Sequence, residues 1–168
     1  MISVRDLSYS YGREPIFMKT LIIYQSFHHH NTEKIVKYLA ENFPIDLLKI
    51  SEATADMVKD YDQIILATGI YFAKPHRLFY EIIPKLNLKN KNIFLITTSG
   101  MCSFPFINDY HRNFKSLLKH SGLIVKSWFE VRGFDSYPLF VRPFGGIHKT
   151  RPDEKDLKNA LEWLKNLS

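Results

Sequence analysis

The chain has 168 residues, 45% hydrophobic and 24% charged, with 23 Lys and Arg against 17 Asp and Glu for a formal net charge of +6. That length and balance predict one globular core; with no apolar run near the roughly 20 residues of a membrane span and no secretory stretch at the amino terminus, a cytoplasmic protein without a membrane partner is expected. The positive excess raises nucleic acid, but most cations alternate with acids, as in Asp153-Glu154-Lys155-Asp156-Lys158, so a solvated surface and no nucleic-acid partner are expected.

In chain order, strand and helix signals alternate. Leu21 to Tyr24 read as a buried strand, and Ile35, Val36, Leu39, Ala40 and Phe43 follow at helical spacing. Ile45 to Ile50 is strand-like, the segment from Ser51 to Tyr61 carries a short, weak helical pattern, and Ile64 to Ala67 is a continuous apolar run. Leu78, Phe79, Ile82, Ile83 and Leu86 form a helical face, Ile93 to Ile96 another strand, and Tyr110, Phe114, Leu117 and Leu118 another helix. Leu123 to Phe129 is the last strand, and Leu157, Ala160, Leu161 and Leu164 mark a final helix opened by Pro152-Asp153-Glu154. Alternating units of this kind predict an α/β fold in which a parallel sheet is covered by helices on both faces, since parallel strands need crossovers. Residues 18 to 168 read as one domain and residues 1–17 as an extension outside the pattern.

The loop Ser26-Phe27-His28-His29-His30-Asn31-Thr32 joins the first strand to the first helix. The first amides of a helix lack partners and its dipole is positive there, so a phosphate is a natural guest. Ser26, Asn31 and Thr32 add hydroxyl and amide groups; alternatively, Asn31 or Thr32 is simply a helix cap. Three adjacent histidines invite a metal, but neighbouring loop side chains rarely converge on one ion and no carboxylate cluster stands nearby, so no metal site is expected.

Tyr24-x-Ser26-x-x-x-x-Asn31-Thr32-Glu33, followed by the post-strand loops Ala67 to His76 and Thr97 to Cys102, resembles the flavodoxin family over residues 18 to 168. The resemblance implies a five-stranded parallel sheet of order 2-1-3-4-5 and FMN bound where the strand order reverses. It assigns the FMN phosphate to Ser26, His28, His29, His30, Asn31 and Thr32, mostly through backbone N–H groups. Thr68, Gly69, Tyr71 and Phe72 would approach the isoalloxazine ring, with Tyr71 or Phe72 either stacked on it or in the core. Thr98, Ser99 and Gly100 would meet its pyrimidine edge. A glycine commonly stands where this chain has His30, and the Cβ of Ala73 hinders the peptide flip made by a glycine in many flavodoxins. Cys102, the single cysteine, excludes an internal disulfide and reads as packing. Separately, Met1 to Phe17 resembles the first strand of an ABC transporter ATPase subunit, although no G-x-x-x-x-G-K-[ST] phosphate loop occurs in the chain.

Two functions follow from the resemblance. One is an electron carrier that exchanges electrons with a redox partner protein, an acidic one such as a ferredoxin given the positive charge, and has no catalytic residue of its own. The other is an NAD(P)H-dependent FMN reductase of quinones or other small acceptors, for which Arg142, Lys149 and Arg151, in the long connection after the last strand, would hold the dinucleotide phosphates. That connection also reads as a lid or partner surface.

Overall fold

The computed structural model describes residues 18–27, 29–101, 109–135 and 147–167. Strands β1 (Thr20–Gln25), β2 (Ile45–Lys49), β3 (Gln63–Tyr71), β4 (Lys74–Pro75), β5 (Asn92–Ser99) and β6 (Val125–Arg132) alternate with helices α1 (Asn31–Asn42), α2 (Ala55–Val58), α3 (Arg77–Ile82), α4 (Tyr110–His120) and α5 (Glu154–Lys165). The sheet order is β2-β1-β3-β5-β6, all parallel, with β4 paired antiparallel to the end of β3. Counting the five long strands alone, this is the expected 2-1-3-4-5 arrangement. The short β4 hairpin is an addition that the sequence pattern did not announce.

β3 lies at the centre, so its side chains are buried on both faces. Ile64 and Leu66 face one way with Phe79, Ile83, Phe114, Leu117 and Leu118, beneath α3 and α4. Ile65 and Ala67 face the other way with Ile35, Val36, Leu39, Ala160 and Leu164, beneath α1 and α5. This double burial is why β3 and β5 read as unbroken apolar runs rather than alternating ones. Phe79 and Phe114 meet edge to face at 6.0 Å and are fully buried, each worth about 1.5–3 kcal/mol of apolar transfer.

The helix ends have local chemical causes. Asp109 caps α4 by accepting from the Arg112 amide, and Asp153 and Asp156 form a reciprocal capping box on α5. α4 stops at Gly122, whose φ of 69° turns the chain so that the Leu123 amide returns to the Leu118 carbonyl at 2.9 Å.

Two strand boundaries differ from expectation in a way that matters for function. β3 continues beyond Ala67 to Tyr71, because Thr68 pairs with Gln25 and Thr97 and Gly69 with Thr98. β5 runs to Ser99. Thr68, Gly69, Tyr71, Thr98 and Ser99 are therefore strand residues, fixed by the sheet, rather than loop residues. At the sheet's far edge β6 starts at Val125 and ends at Arg132, leaving Ile124 exposed before it.

Candidate functional site

From β1 the chain passes to β2 on one side and then to β3 on the other, so the crossovers diverge between β1 and β3. A crevice at the carboxyl ends of the strands belongs at such a reversal. The loop after β1 enters it with two successive left-handed residues, His29 (φ 55°) and His30 (φ 52°). That conformation costs an L-residue roughly 1–2 kcal/mol and persists because the surroundings enforce it. His30 is the N-cap of α1, yet its side chain makes no capping bond; only its carbonyl engages, accepting from the Lys34 amide at 2.9 Å. The helix thus presents an uncapped amino end to the crevice, the condition that an anion satisfies.

The histidine rings have other occupations. His30 Nδ1 lies 2.7 Å from Glu33 Oε2, and His29 packs on Phe134 with ring centroids 4.0 Å apart. The Lys37 ammonium, followed by His30, holds the Glu33 carboxyl below its ordinary range. His28 lies outside the described residues. Asn31 donates its side-chain amide to the Phe134 carbonyl at 2.9 Å, and Thr32 is buried with its hydroxyl 2.8 Å from that of Thr98. Ser26 is half-buried at the start of the loop.

The second wall is the end of β3. The Thr68 hydroxyl donates to the Gly69 carbonyl and accepts from the His76 amide. Tyr71 folds back over Gly69 so closely that a Cβ there would lie 2.7 Å from the phenol oxygen, which accepts from the Phe27 amide at 3.2 Å. Glycine at 69 is what lets the ring lie flat on the strand. Phe72 and Ala73 turn the chain with φ of 50° and 60°, the signs a two-residue hairpin requires, although the usual Asn-Gly is absent. Phe72 is 78% exposed at the tip, so it is not a core residue, whereas Tyr71 is half-buried. Past β4, the His76 ring stacks with Phe27 at 6.2 Å, meets the edge of Tyr71 at 5.9 Å, and accepts from the Leu78 amide to cap α3. Burial and then the Arg77 charge push the His76 pKa down.

The third wall is the end of β5. Thr98 reaches Thr32, Ser99 accepts from the Met101 amide through its hydroxyl and from Gly133 through its carbonyl, and Gly100 lies against Asp135. Cys102 falls outside the described residues. A fourth element, Gly133 to Asp135, crosses between these walls. A Cβ at Gly133 would stand 2.5 Å from the Asn31 amide nitrogen, and one at Gly100 2.4 Å from Asp135 Cβ. Asp135 pairs with Ile147, and the Phe134 amide donates to the Arg151 carbonyl. No site residue is expected in the Gly133-Phe134-Asp135 run from the sequence alone, although its glycine was an available signal. Of the cations considered for a dinucleotide, Arg142 lies outside the described residues, Lys149 is exposed, and Arg151 is held by Asp153 at 2.9 Å and Asp156 at 2.7 Å.

The crevice therefore combines an uncapped helix end, an aromatic cluster of Phe27, Tyr71 and His76, and glycines that permit close approach of the backbone. A phosphate joined to a flat, largely apolar ring fits that donor set. Among the described residues no helix is long and apolar enough to cross a membrane, and no group of His, Cys, Asp and Glu is arranged to hold a metal.

Comparison with known proteins agrees. A family profile described as flavodoxin domain matches residues 21–129. An uncharacterized protein of Methanocaldococcus jannaschii is 36% identical over 151 residues, spanning 89% of this chain and 98% of that protein. A solved flavodoxin from the domain Archaea is similar with a TM-score of 0.58 at 13% identity, covering 86% of this chain and 92% of that one. General stress protein 14 from Treponema denticola, solved in complex with FMN, gives a TM-score of 0.59 at 15% identity, covering 89% and 99%. At those identities the structures speak for the fold. Residues 1–17 lie outside the family match, and their resemblance to an ABC transporter ATPase subunit is not borne out.

Proposed function

This chain belongs to the flavodoxin domain family, and from that premise we propose that it is a cytoplasmic electron carrier that exchanges electrons between partner proteins. FMN is its cofactor. Bound FMN supplies redox chemistry by one or two electrons; the chain supplies binding, orientation and charge. In this reading residues 18–168 act as one domain, and the FMN phosphate would be held at the amino end of α1 by the amides of His29 to Thr32, with the Ser26 hydroxyl assisting. Thr68, Gly69, Tyr71 and Phe72 would border the ring on one side, and Thr98, Ser99 and Gly100 on another. The His76, Tyr71 and Phe27 cluster would offer that face an apolar, aromatic neighbour.

The observation that carries the assignment is the left-handed His29–His30 pair opening an uncapped α1 at the reversal of strand order. Fluorescence titration of the purified protein tests it: FMN should bind in equimolar amount and riboflavin much more weakly, because riboflavin brings no phosphate to the amides. Equal affinity for the two would overturn the phosphate site.

The carrier is favoured over an NAD(P)H-dependent reductase of quinones by Arg151. Its guanidinium already pairs with Asp153 through Nη1 and with Asp156 through Nε at the start of α5, so its charge is largely balanced within the chain before any dinucleotide phosphate could use it. Adding NADPH anaerobically to the FMN-loaded protein should leave the flavin absorbance unbleached over minutes. Rapid bleaching would establish the reductase instead.

A further inference from the structure

The loop that opens α1 holds His29 and His30 in the left-handed conformation and contains no glycine. L-residues do not keep that conformation unaided, so contacts around the loop have to enforce it. For His30 the contact is local, since its ring turns to Glu33 on the next turn of α1. His29 is met from far along the chain, by a residue just past the end of β6.

That residue, Phe134, engages the loop with two different groups. Its ring packs on the His29 imidazole with centroids 4.0 Å apart, and its carbonyl accepts from the Asn31 side-chain amide at 2.9 Å. The first contact falls on a left-handed residue and the second on the first residue of α1. Gly133 permits the approach, because a Cβ there would stand 2.5 Å from the Asn31 amide nitrogen. Phe134 is itself anchored on both sides. The Gly133 amide donates to the Ser99 carbonyl at the end of β5, and the Phe134 amide to the Arg151 carbonyl, each at 3.1 Å. Arg151 in turn pairs with Asp153 and Asp156 at the start of α5. Lys34, in the same helix opening, donates to the Pro152 carbonyl at 2.6 Å, so the start of α1 and the entry to α5 are tied a second time.

We propose that Phe134 is a positioning residue of the phosphate site: by fixing His29 and Asn31 it orders the amides of His29 to Thr32 before the ligand arrives, and so sets the preference for a phosphorylated flavin. The proposal rests on the reading of the α1 opening as the FMN phosphate site. Ordering a loop in advance removes a cost from binding only for a ligand that uses the loop, which FMN does through its phosphate and riboflavin does not.

Two measurements on the full chain test this. In the 15N-labelled cofactor-free protein, the backbone order parameters of His29 and His30 should lie near the rigid value of about 0.85 and fall below about 0.6 in Phe134→Ala. Fluorescence titration of that variant should show FMN affinity lowered about tenfold and riboflavin affinity lowered less than about twofold. Phe134→Tyr keeps the ring and should keep the parent values in both measurements. Phe114→Leu trims an aromatic residue in the core beneath α3 and α4, away from the loop, and should change neither the His29 and His30 order parameters nor the ratio of the two affinities. Order parameters in Phe134→Ala that match the parent, or FMN and riboflavin affinities that fall by the same factor, would overturn the role of Phe134. Equal affinity of the parent for FMN and riboflavin, with the loss of order in Phe134→Ala intact, would instead remove the phosphate reading and leave Phe134 as the residue that fixes the loop.

Discussion

The Thr32 hydroxyl, in the first turn of α1, lies 2.8 Å from the Thr98 hydroxyl near the end of β5, and both residues are buried. The bond ties the anion loop to the sheet before any ligand arrives. Thr32→Ala should therefore destabilise the cofactor-free protein by about 1–2 kcal/mol, because the Thr98 hydroxyl loses its partner out of reach of water. FMN affinity should fall as well, while Thr32→Ser keeps most of both. Urea unfolding of the cofactor-free variants checks this, and a Thr32→Ala protein as stable as the parent would show that the bond contributes nothing to the fold.

The hairpin makes a second prediction. Ala73 holds a φ of 60° and Phe72 one of 50°, in a turn that favours glycine and asparagine. Ala73→Gly removes left-handed strain of roughly 1–2 kcal/mol but adds freedom to the unfolded chain worth somewhat less than 1 kcal/mol. The net expectation is a small gain in stability and a higher denaturation midpoint. A lower midpoint would mean that Ala73 carries no strain in solution.

The parts of the structure that were legible beforehand are those written in local pattern. Ile64 to Ala67 and Ile93 to Ile96 are apolar without interruption because β3 and β5 are covered on both faces, and that alone predicts central parallel strands. The extension of β3 through Thr68 and Gly69 was hidden because its warrant is pairing with Gln25, Thr97 and Thr98, all remote in sequence. The β4 hairpin was hidden because Phe-Ala is not a turn signature; Asn113, forty residues away, helps to hold it. The amino end of α1 was legible as an anion site, but the ring of His30 turns to Glu33, a partner on the next turn that its own spacing could have announced.

A third prediction concerns pH. His76 accepts from the Leu78 amide through Nδ1 and packs between Phe27 and Tyr71; burial and Arg77 lower its pKa from 6.5. Protonation is thus easier in the unfolded chain, which binds more protons than the folded one just below pH 6.5. By linkage, stability rises with pH in that window and is lost as pH falls from 6.5 toward the folded pKa. A proton on Nδ1 would also remove the acceptor that caps α3. His76→Gln should flatten this acid limb in pH-dependent thermal unfolding of the cofactor-free protein, whereas an unchanged limb would assign it to other groups.

The last prediction concerns reduction. Lys74 and Arg77 are exposed cations flanking the half-buried His76, and positive charge near the crevice favours an anionic bound group over a neutral one. At the same time the Ala73 carbonyl is held by Asn113 at 2.7 Å, so the peptide after Ala73 is restrained from turning over. A turn that cannot reorient offers no extra stabilisation at the one-electron stage. Electrons should then enter the FMN-loaded protein in nearly a single two-electron step. Ala73→Gly combined with Asn113→Ala releases both the Cβ and the carbonyl, and it should split the titration into two resolved steps. Anaerobic spectroelectrochemical titration of parent and double variant measures this directly. Two well-separated one-electron steps in the parent would show that the hairpin does reorient, or that another segment supplies the stabilisation, and the restraint by Asn113 would lose its redox role.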